Sequence, residues 1–259
     1  MTQNKILAFN WKTNPNSLNS ATTLFSSYKQ SFEKLQSWDK IVFPPFVYIL
    51  ELIKLAKNDE IKAAIAGQDI SEFDSGAHTS QISGGMLADL GCKYVLVGHS
   101  ETRSELLTTS FDTANKIKSS LENNLNPILC VGFEPKIDNE NIDFEELSDQ
   151  VLTAIEPNLE EINKLESFVI AYEPTWAIGT GKIPTLEQIE TVVDFIISKI
   201  HDSFGADLSH KTHVLYGGSV NEANIAELAK SDKIAGFLIG GASLVPEKVE
   251  KMVEKLMGL

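Results

Sequence analysis

The chain alternates short apolar runs with longer segments in which apolar residues recur every three or four positions. Most of the short runs are continuously apolar, which is typical of strands buried on both faces of a parallel sheet. Eight runs are predicted to be strands: KILAFNW (5–11), DKIVFPP (39–45), KAAIAGQDI (62–70), KYVLVGHS (93–100), NPILCVG (126–132), FVIAYEP (168–174), THVLYGGS (212–219) and GFLIGGA (236–242).

The longer segments have the spacing of amphipathic helices. One example is Leu24, Tyr28 and Leu35, and another is the segment from Val249 to Leu256. Regular alternation of strand and helix predicts repeated βα units, and eight units in 259 residues give about 32 residues each, a normal size. We therefore predict a closed (β/α)8 barrel of eight parallel strands ringed by helices, forming a single domain over residues 1–259.

An open doubly wound sheet is the alternative architecture for the same pattern. Such a sheet, when it binds a dinucleotide, carries Gly-x-Gly-x-x-Gly after its first strand. No such motif follows residues 5–11, so the closed barrel is the preferred prediction.

The composition of the chain argues against several classes of partner and site. The net charge of −14 argues against nucleic acid or an anionic membrane as the main partner. Cys92 and Cys130 are far apart, so neither a disulfide framework nor a zinc site is predicted. The N-terminal residues lack the apolar run of a signal peptide, and no apolar stretch approaches the roughly 20 residues that span a membrane. We expect a cytoplasmic protein.

Polar residues follow several predicted strands at the point where each strand ends. Asn10 and Lys12 follow the first strand, His99 the fourth and Glu173 the sixth. In a closed parallel barrel these ends meet on one face, where active sites gather. A carboxylate, an imidazole and an ammonium group brought together in this way indicate proton-transfer chemistry.

The last two strands end in glycine-rich segments, YGGSVN (216–221) and IGGAS (239–243). Glycines allow backbone N–H groups to approach an anion, and barrels often bind phosphate after strands seven and eight. The segment from Gly217 to Ser219, with Gly240 and Gly241, fits this role. Each residue alone has an ordinary structural explanation, but together they indicate proton transfer on a small phosphorylated substrate.

Two other features of the sequence do not indicate a binding site. GTGK (179–182) is not a Walker A loop, because Trp176 stands where the first glycine would be and Ile183 follows the lysine. The remaining histidines show no metal-ligand spacing, and no metal site is predicted; they are His78, His201, His210 and His213.

The segment AYEPTWAIGTGK (171–182) is the most specific stretch of the chain. With NWK (10–12), GHSE (98–101), YGGSVN and GFLIGGASL (236–244) in this order, it resembles the triosephosphate isomerase family over nearly the whole length. The resemblance implies a TIM barrel. It also implies interconversion of dihydroxyacetone phosphate and D-glyceraldehyde 3-phosphate through an enediolate, in glycolysis and gluconeogenesis, with no cofactor or metal.

The resemblance also implies roles for individual residues. Glu173 would be the general base, His99 would polarise the substrate oxygens, and Asn10 and Lys12 would support the enediolate charge. Four residues would bind the substrate phosphate: Gly179, Ser219, Gly240 and Gly241. A closing lid would comprise Pro174, Thr175, Trp176, Ala177, Ile178, Thr180, Gly181 and Lys182.

The segment GAHTSQIS (76–83) resembles the loop through which members of this family dimerise, with Thr79 near its tip. The resemblance therefore implies a homodimer. Five positions depart from the common family pattern: Asp69, Gln81, Thr102, Phe133 and Pro184.

Two alternative functions are considered. The first is another phosphate-binding barrel enzyme, such as an aldolase or a biosynthetic isomerase. An aldolase would need a Schiff-base lysine in a strand or a metal cluster, and neither is evident in the sequence. A non-catalytic relative acting as a binding or adhesive surface protein is the other. Such a relative would most simply have lost the base, the histidine or the lid, whereas all three are present in this sequence.

Overall fold

The computed structural model describes residues 5–133, 143–175 and 184–258. Eight strands alternate with helices along this part of the chain. The strands are β1 (Lys5–Asn10), β2 (Trp38–Phe43), β3 (Ala64–Ile65), β4 (Tyr94–Val97), β5 (Asn126–Phe133), β6 (Phe168–Pro174), β7 (Thr212–Tyr216) and β8 (Gly236–Ile239). The helices are α1 (Leu18–Ser27), α2 (Lys29–Lys34), α3 (Ile49–Asn58), α4 (Gly84–Leu90), α5 (Ser100–Glu105), α6 (Ser110–Glu122), α7 (Phe144–Ile155), α8 (Leu159–Ile162), α9 (Leu186–Phe204), α10 (Ala206–Lys211), α11 (Ile225–Leu228) and α12 (Pro246–Met257).

The strands form one parallel sheet in the order β3-β2-β1-β8-β7-β6-β5-β4. The first strand pairs with both β2 and β8, so the two ends of the chain meet inside the sheet. A parallel bridge between Gly67 and Val95 joins the β3 side to β4 and closes the ring. The predicted (β/α)8 barrel is confirmed.

Two apolar layers hold the barrel together. Side chains that point into the barrel form a small inner core, which includes Ala8, Phe43, Leu96, Ala171 and Leu238. Alternate residues of the same strands face outward and pack against the helices in a larger layer. Because strands buried on both faces cannot alternate apolar with polar residues, this arrangement explains the continuous apolar runs of the sequence.

Helix starts are encoded locally. Thr109 and Thr185 cap α6 and α9, and in each case the third helical residue, Asp112 or Gln188, bonds back to the backbone of the cap. These capping boxes satisfy backbone N–H groups that have no partner within the helix. The last helix buries Val249, Met252, Val253 and Leu256, as its spacing predicted.

Two elements differ from the simplest interpretation of the pattern. The third apolar run contributes only Ala64 and Ile65 as a strand. The segment with Leu24, Tyr28 and Leu35 is two helices rather than one, because α1 ends at Ser27 and α2 begins at Lys29. The break falls at Tyr28, whose backbone N–H bonds to Phe25 three residues earlier, instead of continuing the four-residue pattern.

Within the described ranges, no helix is long and apolar enough to cross a membrane. Among the same residues, no group of three or more His, Cys, Asp or Glu side chains could hold a metal ion. Cys92 and Cys130 are both buried and unpaired.

A close approach between the backbones of β1 and β8 supplies a test of the barrel packing. Gly236 begins β8 with a φ of +152°, and a Cβ there would lie 2.0 Å from the carbonyl oxygen of Ile6. Gly236→Ala is therefore expected to lower the free energy of unfolding by about 1–3 kcal/mol or more, since the backbones of β1 and β8 would have to separate. Urea denaturation followed by circular dichroism measures the loss.

Gly258→Ala is the matched control for this variant. A Cβ at Gly258 would meet its nearest atom at 3.6 Å, an ordinary contact, so a change within about 0.5 kcal/mol is expected. Equal unfolding midpoints for the two variants would contradict this account of β8.

Candidate active site

Four of the predicted site residues lie at the carboxyl ends of three strands. Glu173 is the penultimate residue of β6, and His99 lies between β4 and the first residue of α5. Asn10 is the last residue of β1, and Lys12 follows two positions later. The barrel brings these four residues together at one end.

Glu173 is a buried carboxylate with two hydrogen-bond donors. Its side chain is 2% exposed; Oε1 lies 2.9 Å from Nε2 of His99, and Oε2 accepts from the backbone N–H of Ser100 at 2.8 Å. A buried carboxylate without such donors would be strongly disfavoured. The two bonds therefore stabilise the charge in the position that the structure shows.

The hydrogen bonds of His99 assign its tautomer. The backbone N–H of Glu101 donates to Nδ1 at 3.2 Å, so Nδ1 carries no proton in the neutral ring and Nε2 carries it, facing Glu173. Burial lowers the pKa of His99, but the charge and hydrogen bond of Glu173, with a smaller contribution from Glu101, raise it by more. The net direction is upward while the carboxylate faces the ring.

Asn10 lies beside the same ring nitrogen. Its Nδ2 is 3.2 Å from Nε2 of His99, and its Oδ1 accepts from the backbone N–H of Lys12 at 3.0 Å. The second bond fixes which side of the amide faces the imidazole. With the proton on Nε2, the asparagine amide and the imidazole both present N–H groups at this point.

Lys12 has an unusual backbone. Its φ is +54°, a left-handed conformation that non-glycine residues adopt only when the surroundings impose it. The side chain of Gln68 contributes to this, donating from Nε2 to the carbonyls of both Lys12 and Phe43 at 2.8 Å. The ammonium group then pairs with Glu101 at 2.6 Å.

The residues predicted to bind phosphate lie after β7 and β8. Gly240 packs against Lys12, since a Cβ at Gly240 would lie 3.3 Å from Lys12 Cε. Gly241 opens a 3-10 turn over Gly241–Leu244, and a Cβ there would meet nothing within 4 Å. Ser219 lies after β7, and its carbonyl accepts from Asn224 at 2.8 Å. Gly179 lies outside the described residues.

The predicted lid is described only at its start. Pro174 is the last residue of β6, where it is buried and aligned with Phe133 of β5, and Thr175 is half-buried. The strand therefore extends into the first predicted lid position. The remaining predicted lid residues lie outside the described residues: Trp176, Ala177, Ile178, Thr180, Gly181 and Lys182.

Gln150 was missed by the sequence analysis. This α7 residue is 5% exposed; its Nε2 donates to the carbonyl of Gly132 at 2.7 Å, and its Oε1 accepts from the N–H of Gly132 at 3.0 Å. Gly132 lies directly beside Glu173, because a Cβ there would be 1.9 Å from the carbonyl oxygen of Glu173. The available signal was a glutamine on the same helical face as Leu147, Val151 and Ala154.

Three of the five positions that depart from the family pattern make specific contacts: Asp69, Gln81 and Thr102. Asp69 accepts from the ammonium of Lys116 with both carboxylate oxygens, at 2.8 and 2.7 Å. Thr102 donates its hydroxyl to the carbonyl of His99 at 2.8 Å, and Gln81 accepts from Ser71 at 2.5 Å. The side chain of Phe133 lies outside the described part of the structure.

A family model described as triosephosphate isomerase matches residues 5–256. The chain belongs to the triosephosphate isomerase family. A protein named triosephosphate isomerase from Saccharopolyspora erythraea is 36% identical over 256 residues, covering 97% of this chain and 96% of the relative. One of the same name from Coxiella burnetii (strain Dugway 5J108-111) is 37% identical over 252 residues, covering 97% of each. Another, from Dehalococcoides mccartyi (strain ATCC BAA-2100), is 38% identical over 242 residues, covering 93% and 92%.

The predicted resemblance to triosephosphate isomerases is thereby confirmed. The predicted enzyme class, an aldose–ketose isomerase, is confirmed at the level of the family. The roles assigned to Glu173, His99, Lys12 and Asn10 stay predictions. The structure links the side chains of Glu173, His99 and Asn10 by direct contacts, and Asn10 also accepts from the backbone N–H of Lys12.

The pKa of His99 tests the electrostatics of the cluster. Glu173→Gln removes the group that contributes most to raising this pKa, which leaves burial as the dominant effect. The pH at which the ring is half protonated is therefore expected to shift downward. NMR titration of the His99 ring carbons and nitrogens measures the shift directly.

Glu101→Gln is the comparison variant for this titration. Glu101 also raises the pKa of His99, but by less than Glu173, so its removal should lower the midpoint by a smaller amount. If the midpoint in Glu173→Gln equals that of the parent, the carboxylate does not control the protonation of His99.

Proposed function

We propose that this chain interconverts dihydroxyacetone phosphate and D-glyceraldehyde 3-phosphate. The observation that carries the proposal is the buried Glu173 carboxylate, held 2.9 Å from Nε2 of His99 at the mouth of the barrel, with Asn10 next to the same nitrogen. Membership of a family of triosephosphate isomerases supports the assignment. A single barrel domain would carry the whole reaction.

The proposed reaction moves one proton between neighbouring carbons. The Glu173 carboxylate removes a proton from C1 of dihydroxyacetone phosphate, and the electrons of the C–H bond form an enediolate with negative charge on the C2 oxygen. Proton transfer from the Glu173 carboxyl group to C2, with the hydroxyl proton of O1 moving to the charged C2 oxygen, then gives the aldehyde. No atom is gained or lost overall.

Hydrogen-bond donors would stabilise the charge that forms on the substrate oxygens. His99 offers Nε2–H and Asn10 offers Nδ2–H at adjacent positions, and the ammonium of Lys12 adds a positive charge. Donors held in place before the reaction are worth roughly 2.7–4 kcal/mol each in comparable sites. The left-handed backbone of Lys12 supports the same view, since strain of this kind clusters at functional sites.

For Glu173 to act as the base, its carboxylate must exchange at least one present donor for the substrate. Both of its oxygens accept hydrogen bonds in the structure, from His99 and from Ser100. The flanking residues are glycines: a Cβ at Gly132 would lie 3.2 Å from Glu173 Cβ, and one at Gly217 would lie 3.1 Å from Glu173 Cγ. The absence of side chains on these neighbours leaves room for the carboxylate to turn.

The phosphate group would be held on the opposite side of the site. We propose that Gly179, Ser219, Gly240 and Gly241 bind it, and that the lid from Pro174 to Lys182 closes over it. Exclusion of water by such a lid would protect the enediolate from losing its phosphate. Because the reaction belongs to glycolysis and gluconeogenesis, we also propose a cytoplasmic location.

We further propose a homodimer formed through residues 76–83. Within the protomer this segment is fixed by a ring stack of Phe73 on His78, with centroids 3.8 Å apart, while Thr79 is exposed. A cavity of about 500 Å³, lined by Lys12, His99 and Gln81 among others, lies beside it and offers a site for the same loop of a second copy. The exposed side chain of Met86 lies on α4, shortly after the segment.

The role of Glu173 is tested by activity. Glu173→Gln keeps the size of the side chain but removes the basic oxygen, so kcat/KM for isomerisation of D-glyceraldehyde 3-phosphate should fall by about 10²–10⁴-fold. Glu173→Asp retracts the base by one methylene and should cost on the order of 10²-fold. A coupled assay with purified protein measures both.

Glu254→Gln, on the exposed face of α12, is the matched control and should keep the parent rate. Strong turnover by a folded Glu173→Gln protein would leave the reaction in place but remove Glu173 as its base. No turnover by the folded parent would reject the proposed function and favour a non-catalytic member of the family.

The dimer is tested by sedimentation velocity. Thr79→Arg places a long charged side chain at the tip of the proposed dimer loop, so the dissociation constant of the dimer should rise by at least about tenfold through steric and desolvation costs. Thr23→Arg, on an exposed position of α1, should leave association unchanged. A monomeric parent, or a Thr79→Arg protein that associates as the parent does, would contradict the loop assignment.

A further inference from the structure

A buried tyrosine joins the two sides of the candidate site. Tyr28, at the break between α1 and α2, is 1% exposed. Its hydroxyl accepts from Nε1 of Trp11 at 3.1 Å and donates to the carbonyl oxygen of Ser243. Trp11 immediately precedes Lys12, and Ser243 lies in the turn that Gly240 and Gly241 begin.

Ser243, which accepts the hydrogen bond from Tyr28, is itself bonded to Gly240. Ser243 is completely buried; its hydroxyl donates to the carbonyl of Gly240 at 2.6 Å, and its backbone N–H donates to the same carbonyl at 2.9 Å. Gly240 in turn packs against Lys12. The contacts therefore form a closed ring through Lys12, Trp11, Tyr28, Ser243 and Gly240.

Aromatic packing holds the side chain of Tyr28 in one position. The aromatic side chain is packed among Phe9, Trp11, Phe25 and Phe32, with ring centroids 5.3 to 6.4 Å from its own. Burial raises the pKa of Tyr28, an effect that the bond from Trp11 only partly offsets, so the hydroxyl keeps the proton that it donates to Ser243. The packing fixes the aromatic ring of Tyr28. The hydrogen bond from its hydroxyl then fixes the position of Ser243 in the turn.

We propose that Tyr28 is a positioning residue that sets the distance between the ammonium group of Lys12 and the backbone amides of Gly240 and Gly241, and so controls how tightly the site holds the phosphate group of its substrate. The inference rests on the proposed function, because it takes these amides as the phosphate-binding groups. It assigns to Tyr28 an effect on phosphate binding rather than on proton transfer, since none of its bonds reaches Glu173 or His99.

Tyr28→Phe isolates the hydroxyl, because the ring and its packing remain. Without it, the N–H of Trp11 and the carbonyl of Ser243 lose their shared partner, and the turn is free to shift relative to Lys12. Loss of binding made equally in the ground and transition states raises KM and leaves kcat unchanged. We expect KM for D-glyceraldehyde 3-phosphate to rise about tenfold, with kcat within about twofold of the parent.

The second readout is the binding of inorganic phosphate, measured by isothermal titration calorimetry without any turnover. Its dissociation constant should rise by the same factor as KM in Tyr28→Phe. Tyr94→Phe is the matched control: Tyr94 begins β4 at the opposite end of the barrel and should change neither quantity. Ser243→Ala removes the next link of the ring and should repeat the KM effect; it also serves if Tyr28→Phe does not fold.

The outcomes separate this inference from the proposed function. A parent that binds phosphate but does not isomerise the triose rejects the proposed function, and weaker phosphate binding by Tyr28→Phe would still support the positioning role. An active parent whose Tyr28→Phe variant keeps the parent KM and phosphate dissociation constant overturns the role. A loss confined to thermal stability or to kcat, with phosphate binding unchanged, overturns it as well.

Discussion

The carboxylate of Glu173 is the group on which the rest of the site depends. Its side chain is 2% exposed, and removing a charge from water without compensation would cost far more than a fold of this size could tolerate. The compensation comes from a part of the chain far from Glu173 in sequence, since His99, which caps α5, and the N–H of Ser100, its first residue, supply the two bonds. The parallel sheet therefore holds the charge, because only β5 lies between β6 and β4 in the strand order.

The proposed function assigns a different task to each of two sides of the site. In the proposed function, the side formed by Glu173, His99 and Asn10 would move the proton, since one acceptor faces adjacent donors there. The side formed by Lys12 and Gly240 carries a positive charge beside an open backbone turn, which suits an anion. Two glutamines hold the strand ends on which both sides are built: the buried Gln150, which bonds to Gly132, and the half-buried Gln68, which bonds to the carbonyl of Lys12.

The sequence was sufficient to predict the barrel because strands buried on both faces and helices buried on one face leave different patterns. It was also sufficient to place Asn10, Lys12, His99 and Glu173 at one end, because all strands of a parallel barrel end on the same face. It was not sufficient for contacts that depend on three-dimensional neighbours. Nothing in the segment around Tyr28 indicates that its hydroxyl meets Ser243, which is 215 residues away.

The barrel closes through few backbone contacts on either side of β3. β3 pairs with β2 only at Ala64 and Ile65, and a single bridge from Gly67 to Val95 joins it to β4. Local opening starts where the fewest backbone bonds must break, so this seam is the place where we expect amide hydrogens to exchange first. Gln68, which holds the carbonyl of Lys12, lies directly beside the seam. Fluctuations that open the barrel would therefore release the lysine before they disturb the glutamate.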